Sequence, residues 1–368
     1  MSIDPLIPAS NFQINSKIDS IEALEEGNIH ESFIVRTSDN GSVNYLLQHK
    51  NQNVFKNVPA MMQNIGRVSN HIKNKVSAKG MDPQKHTLTL IPSLSGEFFY
   101  RDSEGEYWAM CLFIKDSVTY HIPLNNKMAF SGGKGTGDFH NLLSDFKEPL
   151  TDILPGFHNM RFRFEQWDGV IGAISGSLKS QYKKEIDWIE SRREEMMKFR
   201  LLFETGAIPQ RVAHNDAKLL NILFDKGGEA LCLIDLDTVL YGSVLYDYGD
   251  AIRSYTNTGA EDDKDPGNVR MNMDYFEAFT KGYIHEASAF LTKTEVENLA
   301  FAARYITFEQ LLRFLMDYLD GSRYYRISHP EHNMQRSRAQ FALLSDMEKH
   351  YGEMINRVFD IYKQFEQK

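Results

Sequence analysis

Three polar residues in the middle of the chain stand at a spacing that can support phosphoryl transfer. His214, Asp216 and Asn221 follow the order H-x-D-x-x-x-x-N, which is the spacing of a kinase catalytic loop. In such a loop the aspartate receives the hydroxyl proton of the acceptor, and the asparagine holds a magnesium ion. We therefore predict that Asp216 is catalytic, that Asn221 is a Mg²⁺ ligand and that His214 positions the loop backbone.

A second acid follows this loop after a short hairpin. The apolar runs 222–224 and 231–234 flank a polar turn with two glycines, and the second run ends at Asp235. We expect the hairpin to return Asp235 beside Asn221, where both would supply the oxygen ligands that Mg²⁺ prefers. Asp and Asn are also common turn residues. The conjunction of loop, hairpin and second acid nevertheless favours the catalytic interpretation over coincidence.

The same stretch carries a resemblance to a known family. Ile234-Asp235-Leu236-Asp237 matches the I-D-x-[DE] motif of the aminoglycoside phosphotransferase and choline kinase superfamily. More closely, the chain resembles the N-acetylhexosamine 1-kinases, with similarity running from about Ile18 to beyond Met347. The segments that carry this closer resemblance are His214–Lys218, Ile234–Thr238, Gly242-Ser243, Asp247–Arg253, Arg313–Leu315, Asp317–Leu319 and Pro330–Asn333.

The resemblance implies a substrate and a set of contacts. It implies an ATP-dependent, Mg²⁺-dependent kinase that phosphorylates the anomeric hydroxyl of N-acetylglucosamine or N-acetylgalactosamine, giving a sugar 1-phosphate. Asn28, Arg313 and Tyr324 match positions that contact the sugar in these kinases. Arg313 lies near an apolar helix face, so we expect it to be paired, either with Asp317 or with a bound ligand. The segment Asp247–Asp250 is expected to begin a helix and to be mainly structural, with its acid capping backbone amides.

The predicted nucleotide contacts depart from the usual kinase pattern. The third-strand lysine that pairs with nucleotide phosphates would fall near Gln48, and the helix acid that orients it is replaced around residues 64–66. The N-acetylhexosamine 1-kinases also carry Gln at this strand position, so we predict that Gln48 lies at the cofactor. Lys50 could substitute only if the strand register shifted by two residues, which would keep its facing.

The elements around these residues predict an α+β protein with a bilobal, protein-kinase-like fold. Strand signals dominate from Ile18 to Ile114, with a tight hairpin at 39–41, and a stripe of apolar residues over 58–76 predicts one helix. These form a small N-lobe, residues 1–115, with a five-stranded antiparallel sheet. Helical spacing dominates the large C-lobe, residues 116–368. The later strand signals are His86–Pro92, Glu97–Tyr100 and Tyr107–Ile114, and the last helices are Asn272–Ile284, Lys293–Leu319 and Arg336–Phe365.

A glycine-rich stretch, 131–137, invites comparison with a phosphate-binding loop. In the Walker pattern G-K is followed directly by Ser or Thr, whereas Lys134 is followed by Gly135. The stretch also leads into apolar residues at helical spacing. We therefore interpret these glycines as a means of close packing at a helix start.

Composition narrows the class of partner. The net charge of −9 and the pI of 5.8 argue against nucleic acid or an acidic membrane, which need clustered basic surface. A small-molecule substrate is expected.

Cys111 and Cys232 lie in apolar runs and are predicted to be small buried hydrophobes. Residues 1–10 show no secretory pattern and no run has the length of a membrane span, so we expect a cytoplasmic location. The oligomeric state stays open.

Alternatives remain open for the acceptor and for catalysis. Choline, ethanolamine, homoserine or an aminoglycoside could take the place of the sugar. An amino-alcohol kinase needs an aromatic cage or acidic groups around a cation, whereas the cationic Arg313 would repel such an acceptor and favour sugar oxygens. Gln48 and Gly66 also suggest a nucleotide-binding protein without catalysis, although such a protein would have no need for Asp216, Asn221 and Asp235 together.

Overall fold

A computed structural model of the chain describes residues 4–24, 29–38 and 43–366. Its backbone divides into two compact units. The first unit comprises the described residues of Met1–Thr119, Leu142–Pro155 and Ile222–Leu240. The second comprises those of Tyr120–Asn141, Gly156–Asn221 and Tyr241–Lys368. The sequence-based division between residues 115 and 116 stays a prediction.

The elements follow in chain order. The strands are β1 (Ile18–Leu24), β2 (Glu31–Thr37), β3 (Tyr45–Lys50), β4 (Tyr100–Arg101), β5 (Tyr107–Leu112), β6 (Ser117–Val118), β7 (Arg211–Ala213), β8 (Ile222–Asp225), β9 (Ala230–Leu233) and β10 (Leu240–Gly242). The helices are α1 (Leu6–Ala9), α2 (Val58–Ala78), α3 (Pro83–His86), α4 (Asn126–Leu142), α5 (Met160–Ala173), α6 (Gly176–Gln181), α7 (Lys183–Glu190), α8 (Arg193–Glu204), α9 (Val244–Tyr255), α10 (Met273–Ala287), α11 (Lys293–Leu319) and α12 (His332–Glu366).

A five-stranded antiparallel sheet organises the first unit, which confirms the predicted fold class. Its strand order is β1-β2-β3-β5-β4. Successive side chains of a strand point to opposite faces, so Tyr45 and Leu47 on β3 share one face. They pack with Val35, Trp108 and Met110 in a buried cluster. The hairpin turn predicted at 39–41 lies outside the described residues.

Two predicted strands of this unit are wrong. Of the predicted strand Glu97–Tyr100, only Tyr100 is in a strand, as the first residue of β4. The segment His86–Pro92 was expected to be extended throughout, but its first residue ends the short helix α3. The Asp82 side chain accepts a hydrogen bond from the backbone of Gln84, and Pro83 opens the helix, both of which are helix-start signals. Only an isolated bridge, from Leu90 to Cys111, attaches the rest of the segment to β5.

The predicted hairpin after the catalytic loop is present in the first unit. β8 and β9 pair antiparallel, with Ile222 opposite Leu233 and Leu223 opposite Cys232, and β6 adds a third strand. Both cysteines are free and buried, as predicted. Burial raises the pKa of the Cys111 thiol to about 11 and that of Cys232 to about 12. Neither thiol is therefore a ready nucleophile at neutral pH.

The second unit is mainly helical. Its most extensive helix packing is between α11 and α12. A capping box formed by Thr292 and Glu295 begins α11. The predicted helix at 293–319 is confirmed, and the last helix begins four residues earlier than expected, at His332. Among the described helices, α11 and α12 included, none joins the length and apolar character that a bilayer crossing requires.

The glycine-rich stretch 131–137 serves helix packing, as predicted, but inside α4 rather than at a helix start. A Cβ atom on Gly133 would lie 2.1 Å from the carbonyl oxygen of Phe279 on α10. A Cβ atom on Gly137 would lie 2.7 Å from the carbonyl oxygen of Tyr283 on the same helix. The two helix backbones therefore approach so closely that larger side chains do not fit.

Candidate active site

The catalytic loop of the second unit is held in place by one buried carboxylate. Asp247, near the start of α9, accepts hydrogen bonds from the backbone nitrogens of His214 (2.7 Å) and Asn215 (2.6 Å). Its Oδ2 atom also lies 2.7 Å from Nε2 of His140. Asn215 has a left-handed backbone with φ of 64°, which is uncommon for a residue other than glycine. The capping role predicted for the acid of the segment 247–250 matches the geometry of Asp247.

Asp216 has one oxygen engaged and one open. Its Oδ2 accepts hydrogen bonds from Lys218 Nζ at 2.7 Å and from Asn221 Nδ2 at 2.8 Å. Oδ1 has no hydrogen-bond partner in the part of the chain that the structure describes. Burial raises the pKa of Asp216, but the Lys218 ammonium and the hydrogen bond from Asn221 outweigh it and lower the pKa to about 2. The carboxylate is thus ionised at neutral pH, with Oδ1 able to receive a hydroxyl proton.

The donor set of the predicted metal ligands fits Mg²⁺. The Asn221 amide nitrogen is used by the backbone oxygen (2.7 Å) and the side chain of Asp216, so its Oδ1 is the atom that could ligate. Asp235, in the first unit, has a left-handed backbone with φ of 60°. No group of three or more His, Cys, Asp or Glu side chains among residues 4–24, 29–38 and 43–366 could hold a metal by itself. Mg²⁺ needs no such group when nucleotide phosphates supply the remaining ligands.

The first unit contains a second carboxylate cluster, in which Lys50 pairs with Asp237. Lys50 Nζ lies 3.0 and 2.9 Å from the two carboxylate oxygens of Asp237 and donates to Oε1 of Gln48 at 2.8 Å. Lys50 is only 2% exposed. Burial raises the pKa of Asp237, but Lys50 and His30 hold it well below its ordinary value. Gln48 therefore sits beside the lysine rather than replacing its charge.

His30 completes this cluster, and the sequence analysis missed it. Its Nδ1 atom accepts a hydrogen bond from the backbone nitrogen of Asn51 at 3.1 Å. That leaves Nε2 to carry the hydrogen, which it donates to Oδ2 of Asp237. The cluster therefore joins the start of β2, the end of β3 and the turn after β9. Asn28, predicted to contact the sugar, lies outside the described residues.

Arg313, on α11, lies among aromatic rings rather than against Asp317. Its guanidinium carbon is 5.7 Å from the ring centre of Phe157, 5.9 Å from that of Tyr324 and 5.5 Å from that of Tyr325. Its Nη1 donates to the Gln310 side chain at 3.2 Å. The two predicted sugar contacts in this unit, Arg313 and Tyr324, therefore lie together, in what we call the Arg313 cage: Arg313, Phe157, Tyr324 and Tyr325.

Asp317 has a different role from the predicted pairing with Arg313. Its carboxylate accepts hydrogen bonds from the backbone nitrogens of residues 323, 324 and 325 at 2.8–2.9 Å. Asn333 donates a fourth hydrogen bond, at 2.8 Å. Asp317 therefore shapes the loop that carries Tyr324, whose side chain is 65% exposed.

A buried histidine links the region under the Arg313 cage to the catalytic loop. Nδ1 of His158 lies 2.7 Å from Glu309, and Nε2 lies 2.9 Å from the carbonyl oxygen of Asn215. Both partners are acceptors, so both ring nitrogens carry hydrogen and the ring is cationic. Burial lowers the pKa of His158, but the Glu309 carboxylate more than offsets this and the pKa is raised. No spacing in the sequence indicated this contact, because its partners lie 151 and 57 residues away.

The fold is of the protein-kinase-like class. A microcompartment-associated aminopropanol kinase has the same fold, with a TM-score of 0.60, 15% identity, and coverage of 95% of this chain and 97% of that one. An ethanolamine kinase from Plasmodium vivax has a TM-score of 0.54 and 13% identity, with coverage of 88% of this chain and 82% of that one. An amicoumacin kinase in complex with AMP-PNP and Ca²⁺ has a TM-score of 0.52 and 12% identity, with coverage of 97% of this chain and 95% of that one.

The family follows from the sequence match. Residues 20–270, more than half of the chain, match the model of the phosphotransferase enzyme family, and the chain belongs to that family. It is a small-molecule kinase, an enzyme that transfers a phosphoryl group to a hydroxyl group. The predicted enzyme class is thereby confirmed, and a nucleotide-binding protein without catalysis is no longer an alternative.

Proposed function

We propose that this kinase phosphorylates the anomeric hydroxyl of N-acetylglucosamine or N-acetylgalactosamine and releases a sugar 1-phosphate. Asp216 aligns that hydroxyl through Oδ1 and receives its proton as the oxygen–phosphorus bond forms. The bond between the γ-phosphorus and the bridging oxygen breaks, which leaves ADP. A carboxylate with a pKa of about 2 is a weak base, so it takes the proton late in the transfer.

The Arg313 cage is the observation that carries the choice of acceptor. Three aromatic rings surround a guanidinium at 5.5–5.9 Å, so the position that would suit an ammonium ligand already holds a cation. A second cation would be repelled there. The N–H groups of Arg313 suit the oxygen atoms of a neutral sugar, and an exposed ring such as Tyr324 suits the apolar face of a sugar ring.

The nucleotide contacts are assigned to the first unit. We place the ATP phosphates at Lys50 and Gln48, because Lys50 supplies the positive charge that the third-strand glutamine lacks. Asn221 and Asp235 would hold Mg²⁺, which when bound neutralises charge on the phosphates. Asp237 is assigned a supporting role, since its carboxylate orients Lys50 at 2.9–3.0 Å. Asn28 keeps the sugar contact assigned to it by resemblance.

An acceptor panel tests the proposal. ADP release is measured with ATP, Mg²⁺ and one acceptor at a time: N-acetylglucosamine, N-acetylgalactosamine, ethanolamine, aminopropanol, choline, homoserine and kanamycin. We expect turnover with the N-acetylhexosamines and none with their 1-O-methyl glycosides, which lack the reacting hydroxyl. Turnover only with amine-bearing acceptors would overturn the sugar assignment and leave the kinase class intact.

Arg313→Ala sharpens this test. The variant should raise KM for the sugar by about 10-fold or more, the scale expected for a hydrogen bond to a charged group, with little change in KM for ATP. Arg192→Ala is the matched control, because Arg192 also lies over an aromatic ring, that of Trp188 at 3.8 Å, but is paired with Glu348. Equal changes in sugar KM for the two variants would contradict a specific contact at Arg313.

A further inference from the structure

One face of α9 is turned toward the catalytic loop, and Asp250 lies on it. Asp247 binds the loop at residues 214 and 215, and Ser254 accepts a hydrogen bond from the backbone nitrogen of Leu219 at 2.9 Å. Residues three, four and seven apart share a helix face. Asp250, between those two anchors, therefore faces the middle of the loop, and the charges of Asp216 and Lys218 act on it.

The ion pair of Asp250 leaves one oxygen unused. Arg253 directs both its Nε (2.9 Å) and its Nη2 (2.8 Å) to Oδ1 of Asp250. A bidentate pair would use both carboxylate oxygens. Oδ2 of Asp250 is instead buried without a hydrogen-bond partner among the described residues, and the whole residue is only 5% exposed. Gln340, whose Oε1 lies 3.5 Å from Arg253, has an unpartnered Nε2 in the same cluster.

Unpartnered polar atoms of this kind can form hydrogen bonds with a ligand. An unpaired buried polar group is costly, and the few that native proteins keep commonly have a functional reason. Burial raises the pKa of Asp250, and the Asp216 carboxylate adds to this while Arg253 opposes it. A donor placed at Oδ2 would stabilise the ionised carboxylate. The charge of Asp216, at which the reacting hydroxyl of the proposed acceptor would lie, acts on Asp250.

We propose that Asp250 is an acceptor-binding residue whose Oδ2 accepts a hydrogen bond from a non-reacting donor of the sugar, a ring hydroxyl or the acetamido N–H. This rests on the proposed function, because it assumes an acceptor with several donors near the reacting one. A site that hydrogen-bonds such groups discriminates strongly against analogues that lack one. Asp250 would therefore contribute to acceptor specificity.

The experiment is a cycle that combines variants with substrate analogues. The full-length enzyme, Asp250→Asn, Asp250→Ala and Glu261→Gln are assayed with N-acetylglucosamine, its 3-deoxy, 4-deoxy and 6-deoxy analogues, and 2-deoxyglucose. Glu261→Gln is the matched control, because it alters the other carboxylate on Arg253, 2.6 Å from Nη1. Thermal melting checks folding, and Asp250→Asn keeps the side-chain shape should Asp250→Ala fail to fold.

We expect both Asp250 variants to raise KM for the sugar by about 10-fold or more, with KM for ATP unchanged and Glu261→Gln close to wild type. For the wild type, one analogue should have a higher KM than the parent sugar, because it lacks the group that binds Asp250. For Asp250→Ala, that analogue and the parent sugar should have the same KM, because the hydrogen bond is already absent. Additive losses for every analogue, or an unchanged KM for sugar, would overturn the inference.

The test separates this inference from the proposed function. Absence of turnover with any N-acetylhexosamine in the wild type contradicts the proposed function. Asp250→Asn is then assayed with the acceptor that the panel identifies. A raised KM for that acceptor supports binding at Asp250, and an unchanged KM overturns it.

Discussion

Asp216 and Asp237 are two aspartates that each hold a lysine, one in each unit, but the two carboxylates differ in what they leave open. Asp237 is 4% exposed, and its two oxygens are used by Lys50 and His30. Asp216 engages Lys218 and Asn221 through Oδ2 alone. A fully satisfied carboxylate orients its neighbours, whereas a carboxylate with an open oxygen can receive a proton. This difference supports the proposal that Asp216 takes part in the chemistry and that Asp237 has a supporting role.

Removal of the proposed metal ligands should have the largest effect on activity. Asp235→Ala should abolish turnover at any Mg²⁺ concentration, because the charged ligand is lost. Asn221→Ala should be partly rescued by excess Mg²⁺, because a neutral ligand contributes less. Turnover is measured across a Mg²⁺ titration for both variants. Equal, modest losses that added Mg²⁺ does not change would show that the ion is bound elsewhere.

Removing the open oxygen of Asp216 should have the next largest effect. Asp216→Asn keeps the size of the side chain but not its ability to take a proton, so kcat should fall by a factor of about 10²–10⁴. ATP binding, measured by titration calorimetry, should stay nearly intact. A variant that keeps more than half of the wild-type kcat would remove Asp216 from this role.

The two clusters also differ in how far the sequence could predict them. Asp216 and Asn221 lie within six residues, so the motif could predict that they lie together, whereas the pairing of Asp216 with Lys218 was not predicted. Lys50 and Asp237 are 187 residues apart. Their contact depends on the register of β3 and on the turn after β9, and the sequence indicated only that Lys50 shares a strand face with Gln48.

Other parts of the site were beyond sequence reasoning for the same reason. His158 has a left-handed backbone with φ of 52°, and its contacts to Glu309 and to the loop carbonyl arise from packing between distant helices. Asp317 was a candidate partner for Arg313 by proximity on α11, but its carboxylate is taken by backbone nitrogens that only the folded loop presents. The sheet and the long helices were predictable because local periodicity determines them.

Lys50→Met tests the cluster of Lys50, Asp237 and His30. We expect KM for ATP to rise by about 10- to 100-fold, because a charge-assisted contact to phosphate is lost. The free energy of unfolding should also fall, by about 3–5 kcal/mol, since Asp237 is left as a buried charge without its cation.

A double variant separates these two effects. Lys50→Met with Asp237→Asn should regain thermal stability but not ATP affinity. His49→Ala is the control on the same strand, because His49 pairs with Glu31 and Glu106. Wild-type KM for ATP in the double variant would contradict the role of Lys50.

The smallest expected effect concerns pH. The Lys218 ammonium helps to lower the pKa of Asp216 to about 2, so Lys218→Met should move that pKa up toward its ordinary 3.8. Activity that needs ionised Asp216 is lost as pH falls through this pKa, so the acid limb of the kcat profile should move to higher pH. Lys226→Met, at an exposed pair with Asp116, should leave the profile unchanged. An unmoved limb in Lys218→Met would contradict the assigned pairing.

The central claim is that Asp216 directs the phosphoryl group to the anomeric oxygen of an N-acetylhexosamine. Phosphorus NMR of the product formed from ATP, Mg²⁺ and N-acetylglucosamine tests it most directly, because the coupling of phosphorus to sugar protons identifies the esterified carbon. We predict a phosphate coupled to the proton on carbon 1. A phosphate coupled to the two protons on carbon 6 would contradict the account.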